Sequence, residues 1–172
     1  MSWRGASPWL VLFALLAAVG AGVFDAGGGG ALGPGARFAA TVTRVVDGDT
    51  VHVRVGDRAE SVRYIGMDTP ETVKPNAPVQ CFGKAASAAN RRLVDGQRVR
   101  LRLDAEPRDR YGRLLAYVYR RRDGLFVNAA LVRGGFATIL TIAPNIAHAA
   151  ELRALERGAR ARRRGLWGAC AP

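Results

Sequence analysis

Histidine and cysteine are scarce in this 172-residue chain, two of each, and neither a cysteine nor a histidine cluster accompanies its acidic residues. That argues against a zinc- or iron-type centre, which needs soft or borderline ligands. His52 and His148 have no sequence neighbour that would equip them for acid–base work. Acidic residues are also few, 14 against 26 lysines and arginines, for a net charge of +12. Such a balance calls for a polyanionic partner or an acidic surface, and by itself does not choose between nucleic acid and anionic lipid. No internal repeat is visible, so a solenoid is excluded.

Only one long apolar run exists, through residues 8–24, at the short end for a membrane helix of about 17–25 residues. With Arg4 ahead of it and Ala18, Gly20, Ala21 and Gly22 near its end, residues 1–24 read as a signal peptide, or as an uncleaved signal anchor tethering the chain to a membrane. Residues 25–36 are a Gly-rich linker, and 37–170 a single folded domain. Export is therefore expected. In an oxidising compartment Cys81 and Cys170 are expected to pair, stapling the last helix to the body; free buried thiols are the alternative.

What the sequence does contain is a dense stretch from Arg44 to Thr72. Val51, Val53 and Val55 alternate with His52 and Arg54, the period of a half-buried strand. Asp47-Gly48 and Gly56-Asp57 mark reversals, with positive φ expected at the first, and Ser61 to Gly66 returns the chain. With Val55 pairing near Glu60, Asp49 falls opposite Gly66 or Met67, so that Asp49, Asp68 and Glu71 meet at one edge. Converging carboxylates repel unless a cation or proton lies between them, and hard oxygen ligands favour Ca²⁺ or Mg²⁺. Arg63, on the neighbouring strand, adds a cation suited to a phosphate neutralised from both sides.

Further along, Val73 to Val79 reads as a Pro-rich loop beside the site, and Phe82 to Val94 as an Ala-rich helix. Val99, Leu101 and Leu103 alternate with Arg98, Arg100 and Arg102 in a strand with a basic outer face. Asp104 to Gly112 reads as a loop, Leu114 to Tyr119 as a strand, and Val127 to Arg133 as a short helix ended by Gly134-Gly135. Ile146 to Arg164 reads as a longer helix with Ile146, Ala149, Ala150, Leu152 and Leu155 on its apolar face. The order β-β-β-α-β-β-α-α gives an α+β class.

The motifs DGDT, R-x4-DTPET and DRYGR (Asp109 to Arg113), in this order, resemble the staphylococcal nuclease family over about residues 38–168. The resemblance implies a five-stranded OB-fold (Greek-key) β-barrel with three helices packed on it, and Ca²⁺-dependent hydrolysis of phosphodiester bonds in DNA and RNA. It implies Asp49, Asp68 and the carbonyl of Thr69 as metal ligands, and Glu71 as the group that deprotonates or orients the attacking water. Arg63 and Arg113 match the phosphate clamp, and Arg110 and Tyr111 match positions touching a terminal phosphate. Cleavage of the 5′ P–O bond, leaving 3′-phosphates, is implied too. The chain departs from the family where a base-stacking tyrosine is expected: Leu140 takes that place in ALVRGGFATILTIAPN. A monomer acting on single-stranded or denatured nucleic acid is expected. The alternatives are a non-catalytic OB-fold nucleic-acid-binding module, and a basic protein held on anionic lipid by Arg162-Arg163-Arg164.

Overall fold

The structure, a computed structural model, describes residues 32–72 and 78–170. The N-terminal segment read as a signal and linker lies outside these residues up to position 31, as does 73–77 of the Pro-rich loop. Among the described residues no helix is long and apolar enough to cross a membrane.

Seven strands alternate with helices: β1 Arg37–Val45, β2 Thr50–Val55, β3 Arg58–Tyr64, β4 Gly66–Asp68, α1 Gly83–Val94, β5 Arg98–Arg108, β6 Leu114–Arg120, α2 Val127–Arg133, β7 Thr138–Leu140, α3 Ala149–Ala161 and α4 Leu166–Ala169. Five of the strands close a barrel in the order β1-β2-β3-β6-β5, and β4 pairs with β7 in a small separate ribbon. The β3–β6 pairing is parallel; its barrel neighbours are antiparallel. Inward residues at every second position fill the barrel, among them Val51, Val53, Val62, Leu101, Leu103, Leu114 and Val118, none more than 1% exposed. Their β-branched and leucine side chains suit a pleated surface sealed on one face. The α+β barrel expected from the sequence is therefore what forms.

Several boundaries move. β2 and β3 pair Val55 with Arg58, not with Glu60, because Gly56-Asp57 is a two-residue loop with Gly56 at φ 56°. Asp49 consequently lies opposite Tyr64, whose N–H donates to its carbonyl at 2.8 Å. Gly48 is not among the residues with positive φ. It is small for another reason: a Cβ there would lie 2.6 Å from Thr69 Oγ1, and that close approach lets the first turn dock on the chain after β4. β5 runs past Leu103 to Arg108 through a register shift. The alternating pattern fades there because Asn145 supplies a partner from outside the barrel, bonding both the N–H and the carbonyl of Glu106 at 2.8 and 2.9 Å. α3 starts at Ala149, leaving Ile146 exposed before it instead of on its apolar face; Leu152 and Ala159 are the side chains it buries. The short β4, β7 and α4 were too brief to leave a periodic signal.

Two fully buried asparagines fasten helices to the barrel. Asn128 of α2 accepts from Val118 N–H and donates to the Ile65 carbonyl, both at 3.0 Å. Asn90 of α1 accepts from Tyr64 Oη at 3.1 Å and donates to the Asp47 carbonyl at 2.9 Å. Cys81 and Cys170 form the expected disulfide, joining the start of α1 to the end of α4 across 89 residues of sequence separation. In the chain-entropy account a ring of that size stabilises by about 4 kcal/mol.

Asn128→Ala leaves a buried donor and a buried acceptor unpaired, so stability falls by roughly 3 kcal/mol in urea denaturation. A loss under about 1 kcal/mol would show that the two backbone groups find other partners.

Candidate active site

Arg63, near the end of β3, places its guanidinium between two carboxylates. Nη1 lies 2.9 Å from Asp49 Oδ2, and Nη2 bonds to Asp68 Oδ1. Nη1 also donates to the carbonyls of Tyr64 and Met67, both at 3.2 Å, which fixes the side chain over the kink between β3 and β4. Asp49 is buried and fully engaged. Its Oδ2 accepts from the N–H and the hydroxyl of Thr69 at 2.8 Å each, and its Oδ1 accepts from Thr50 Oγ1 at 3.0 Å. Burying a carboxylate calls for such a set of donors, since each oxygen gives up its water.

The sequence places three carboxylates together; the structure brings Asp49 and Asp68 onto one guanidinium, with Glu71 just beyond. Among the described residues no group of three or more Asp, Glu, His or Cys side chains forms a preassembled cation cage. Arg63 supplies the positive charge that this edge requires, and the requirement is visible in its neighbours. Asp68 is raised above the ordinary carboxylate range by burial and by the charges of Asp49 and Glu71, against the pull of Arg63. Asp47 is pushed up to about 6, first by burial and then by Asp49.

Glu71 is positioned by Gln80, whose Oε1 accepts the Glu71 N–H at 2.8 Å while its own N–H donates to the Glu71 carbonyl at 3.0 Å. Glu71 Oε1 in turn accepts from Thr72 N–H at 2.9 Å. The role of Gln80 has no signal in the sequence, since glutamine at the end of a Pro-rich loop reads as solvated. The oxygen donors Asp49, Asp68 and Thr69 match a hard dication in chemistry and in charge. Loading one would exchange guanidinium contacts for metal contacts.

On its other side Arg63 lines a cleft of about 480 Å³ shared with Arg110, Tyr111, Arg113, Leu140 and Ile142. The loop carrying the three DRYGR side chains is ordered by Asp109, which accepts from the N–H groups of Tyr111 and Arg113 and from Arg113 Nε at 2.7 Å. Tyr111, 68% exposed, has the Arg110 and Arg113 guanidiniums 4.8 and 5.5 Å from its ring centre. Arg108 anchors the loop to β3 through two bonds to Glu60, at 2.8 and 2.9 Å, and one to the Gly112 carbonyl. The sequence hinted at Asp109 through its motif; nothing in it pointed to Glu60, 48 residues from its partner. Leu140 pairs with Gly66 in the ribbon and stands half-exposed on the cleft wall. His148, by contrast, does find partners, between Tyr119 Oη and Glu151 and against the Tyr117 and Phe126 rings.

Comparison with known proteins places this geometry in context. Residues 61–169 match the staphylococcal nuclease homologue family. The chain is 44% identical over 126 residues to a thermonuclease of Staphylococcus intermedius, covering 73% of this chain and 74% of that one. A thermonuclease of Staphylococcus hyicus is 40% identical over 126 residues, with 73% of each chain covered. Endonuclease YncB of Bacillus subtilis (strain 168) is 40% identical over 129 residues, covering 74% of this chain and 60% of that protein.

The raised Asp47 pKa carries a definite sign. A carboxyl that holds its proton more tightly folded than unfolded costs the native state stability as pH rises, here from about 4 to about 6. In EDTA, Asp47→Asn keeps the acceptor for the Asp49 N–H and removes that cost. It is expected to be more stable than the parent at neutral pH by roughly 2 kcal/mol, and no different below pH of about 4. Urea midpoints across the pH range read this directly; parallel curves for the two proteins would contradict it.

Proposed function

The chain belongs to the staphylococcal nuclease family, and from that premise we propose how this phosphodiester-hydrolysing nuclease works. It acts on DNA and RNA with low sequence specificity, prefers single-stranded or denatured substrate, requires Ca²⁺, leaves 3′-phosphates and works as an exported monomer. The observation that carries this reading is Arg63 holding Asp49 and Asp68 at the rim of a cleft that also contains Arg113.

A phosphodiester resists water because its anionic oxygens repel nucleophiles. Asp49, Asp68 and the Thr69 carbonyl are the residues that would hold the dication, which when bound would supply neutralising charge to those oxygens. Arg63 touches both carboxylates and lines the cleft, so its fork is able to exchange a carboxylate oxygen for a phosphate oxygen. Arg113, its Nε committed to Asp109, presents the second fork. Two guanidiniums on the equatorial oxygens bind more strongly as charge develops there, which lowers the barrier. Glu71, held by Gln80, takes or orients the proton of the attacking water. The water oxygen bonds to phosphorus as the 5′ P–O bond breaks; the water's proton passes to Glu71 and on to solvent, and the 5′ oxygen leaves as a hydroxyl with a proton drawn from solvent water. Arg110 and Tyr111 grip a terminal phosphate at the outer end of the cleft. Export rests on the apolar run of residues 8–24 and on a disulfide that needs an oxidising compartment.

Denatured DNA incubated with the protein and Ca²⁺ is expected to yield short 3′-phosphorylated products, and EDTA to abolish them; products ending in 3′-hydroxyls would overturn the assigned bond. Glu71→Gln should keep DNA and Ca²⁺ affinity while lowering kcat by roughly 10²–10⁴-fold. Arg113→Ala should lower kcat/KM by at least about 10²-fold, and a fully active variant would show that the phosphate clamp lies elsewhere.

A further inference from the structure

Away from the cleft, the outer face of β1, β5 and β6 gathers arginines at a density that the fold itself does not need. Arg37 of β1 stands directly opposite Arg102 of β5, and Arg100 opposite Tyr119 of β6. Like charges facing each other across strands destabilise a sheet. Among the described residues none of these three arginines is in an ion pair. The two acidic groups nearby are otherwise engaged: Asp104 accepts from Tyr117 Oη and Ala147 N–H, and Glu151 pairs with His148. Together Arg37, Arg100, Arg102 and Tyr119 line a depression of about 240 Å³, with the Arg100 guanidinium 5.4 Å from the Tyr119 ring centre.

We propose that this depression is a second contact site for the phosphodiester backbone of a single-stranded substrate whose scissile bond lies in the cleft. The inference rests on the nuclease reading and adds to it a surface that no part of the chemistry uses. Leu115, which lines the cleft, and Tyr119 lie on the same outer face of β6, four residues apart, about 13 Å along the strand. Tyr117 between them is covered by His148, so a strand bridging the two sites passes over the start of α3. Arginines one position in two along β5 repeat every 6–7 Å or so, a spacing on which successive phosphates of an extended strand can settle. A guanidinium over a phenol ring also offers a base a stacking surface. Anionic lipid is the weaker fit, because a membrane-binding face pairs its cations with apolar side chains to insert. None of the large exposed hydrophobic residues lines this depression.

The test compares the parent with a variant combining Arg37→Gln, Arg100→Gln and Arg102→Gln, and with Arg100→Gln alone, on oligonucleotides of about 20 and about 3 nucleotides. For the long oligonucleotide, KM is expected to rise about tenfold in the combined variant, and the salt dependence of binding to fall by about 2 in log–log slope. The single variant should show about a third of that slope change, with both variants at least as heat-stable as the parent. For the short oligonucleotide kcat and KM should not move. An unchanged KM and slope on the long oligonucleotide overturns the proposal, as does an equal effect on both lengths. Loss of binding to phosphatidylserine-containing vesicles without loss on the long oligonucleotide also overturns it and assigns the face to lipid. If the parent fails to cleave, the nuclease reading fails instead; the same comparison by fluorescence anisotropy in EDTA still decides the second site.

Discussion

One guanidinium between two carboxylates governs the architecture around it. Arg63 reaches Asp49 from the first turn and Asp68 from the end of β4, and those two residues come from segments that the barrel separates. Without a cation at that point, burying the Asp49 carboxylate would be costly. With it, both turns are drawn to a common edge and the cleft gains a wall. An arginine suits the place better than a lysine, because a planar fork can serve two carboxylates and two backbone carbonyls at once.

The parts around this pair are held by side chains that imitate backbone. Asn145 bonds the Glu106 peptide as a neighbouring strand would, Gln80 pairs with the Glu71 peptide through its side-chain oxygen and its backbone N–H, and Asn90 ties α1 to the carbonyl of Asp47. Each replaces a ladder that the barrel cannot supply where its strands end. Loops near the site thereby gain definite positions without extra secondary structure.

How much of this could be read in advance depended on whether a signal was local. Strict alternation in Val51–Val55 and Val99–Leu103 announced the barrel strands, and the Ala-rich run announced α1. The meander of short strands brought Asp49, Asp68 and Glu71 to one edge, with Arg63 beside them, although the register between β2 and β3 was taken two residues out. The error did not separate the two turns, because Thr69 closes back on Asp49 through its N–H and its hydroxyl. What escaped were long-range polar partners such as Glu60–Arg108 and Asn128–Val118, where neither residue advertises the other. Elements of three or four residues escaped as well, since they complete little more than one period and so cannot show a repeat.

The disulfide divides the chain topologically. Residues 81–170 form a closed covalent loop that includes Arg113, whereas Asp49, Arg63, Asp68 and Glu71 all precede it. A protease cut inside the loop, outside the cystines, leaves one covalent molecule. A cut between Thr72 and Pro78 instead severs the acidic half of the site from the ring, leaving β1 to β4 attached to their partners by strand pairing and packing alone. The molecule is in that sense two interlocking pieces, and in the sequence the peptide joining them follows directly on Glu71 and Thr72.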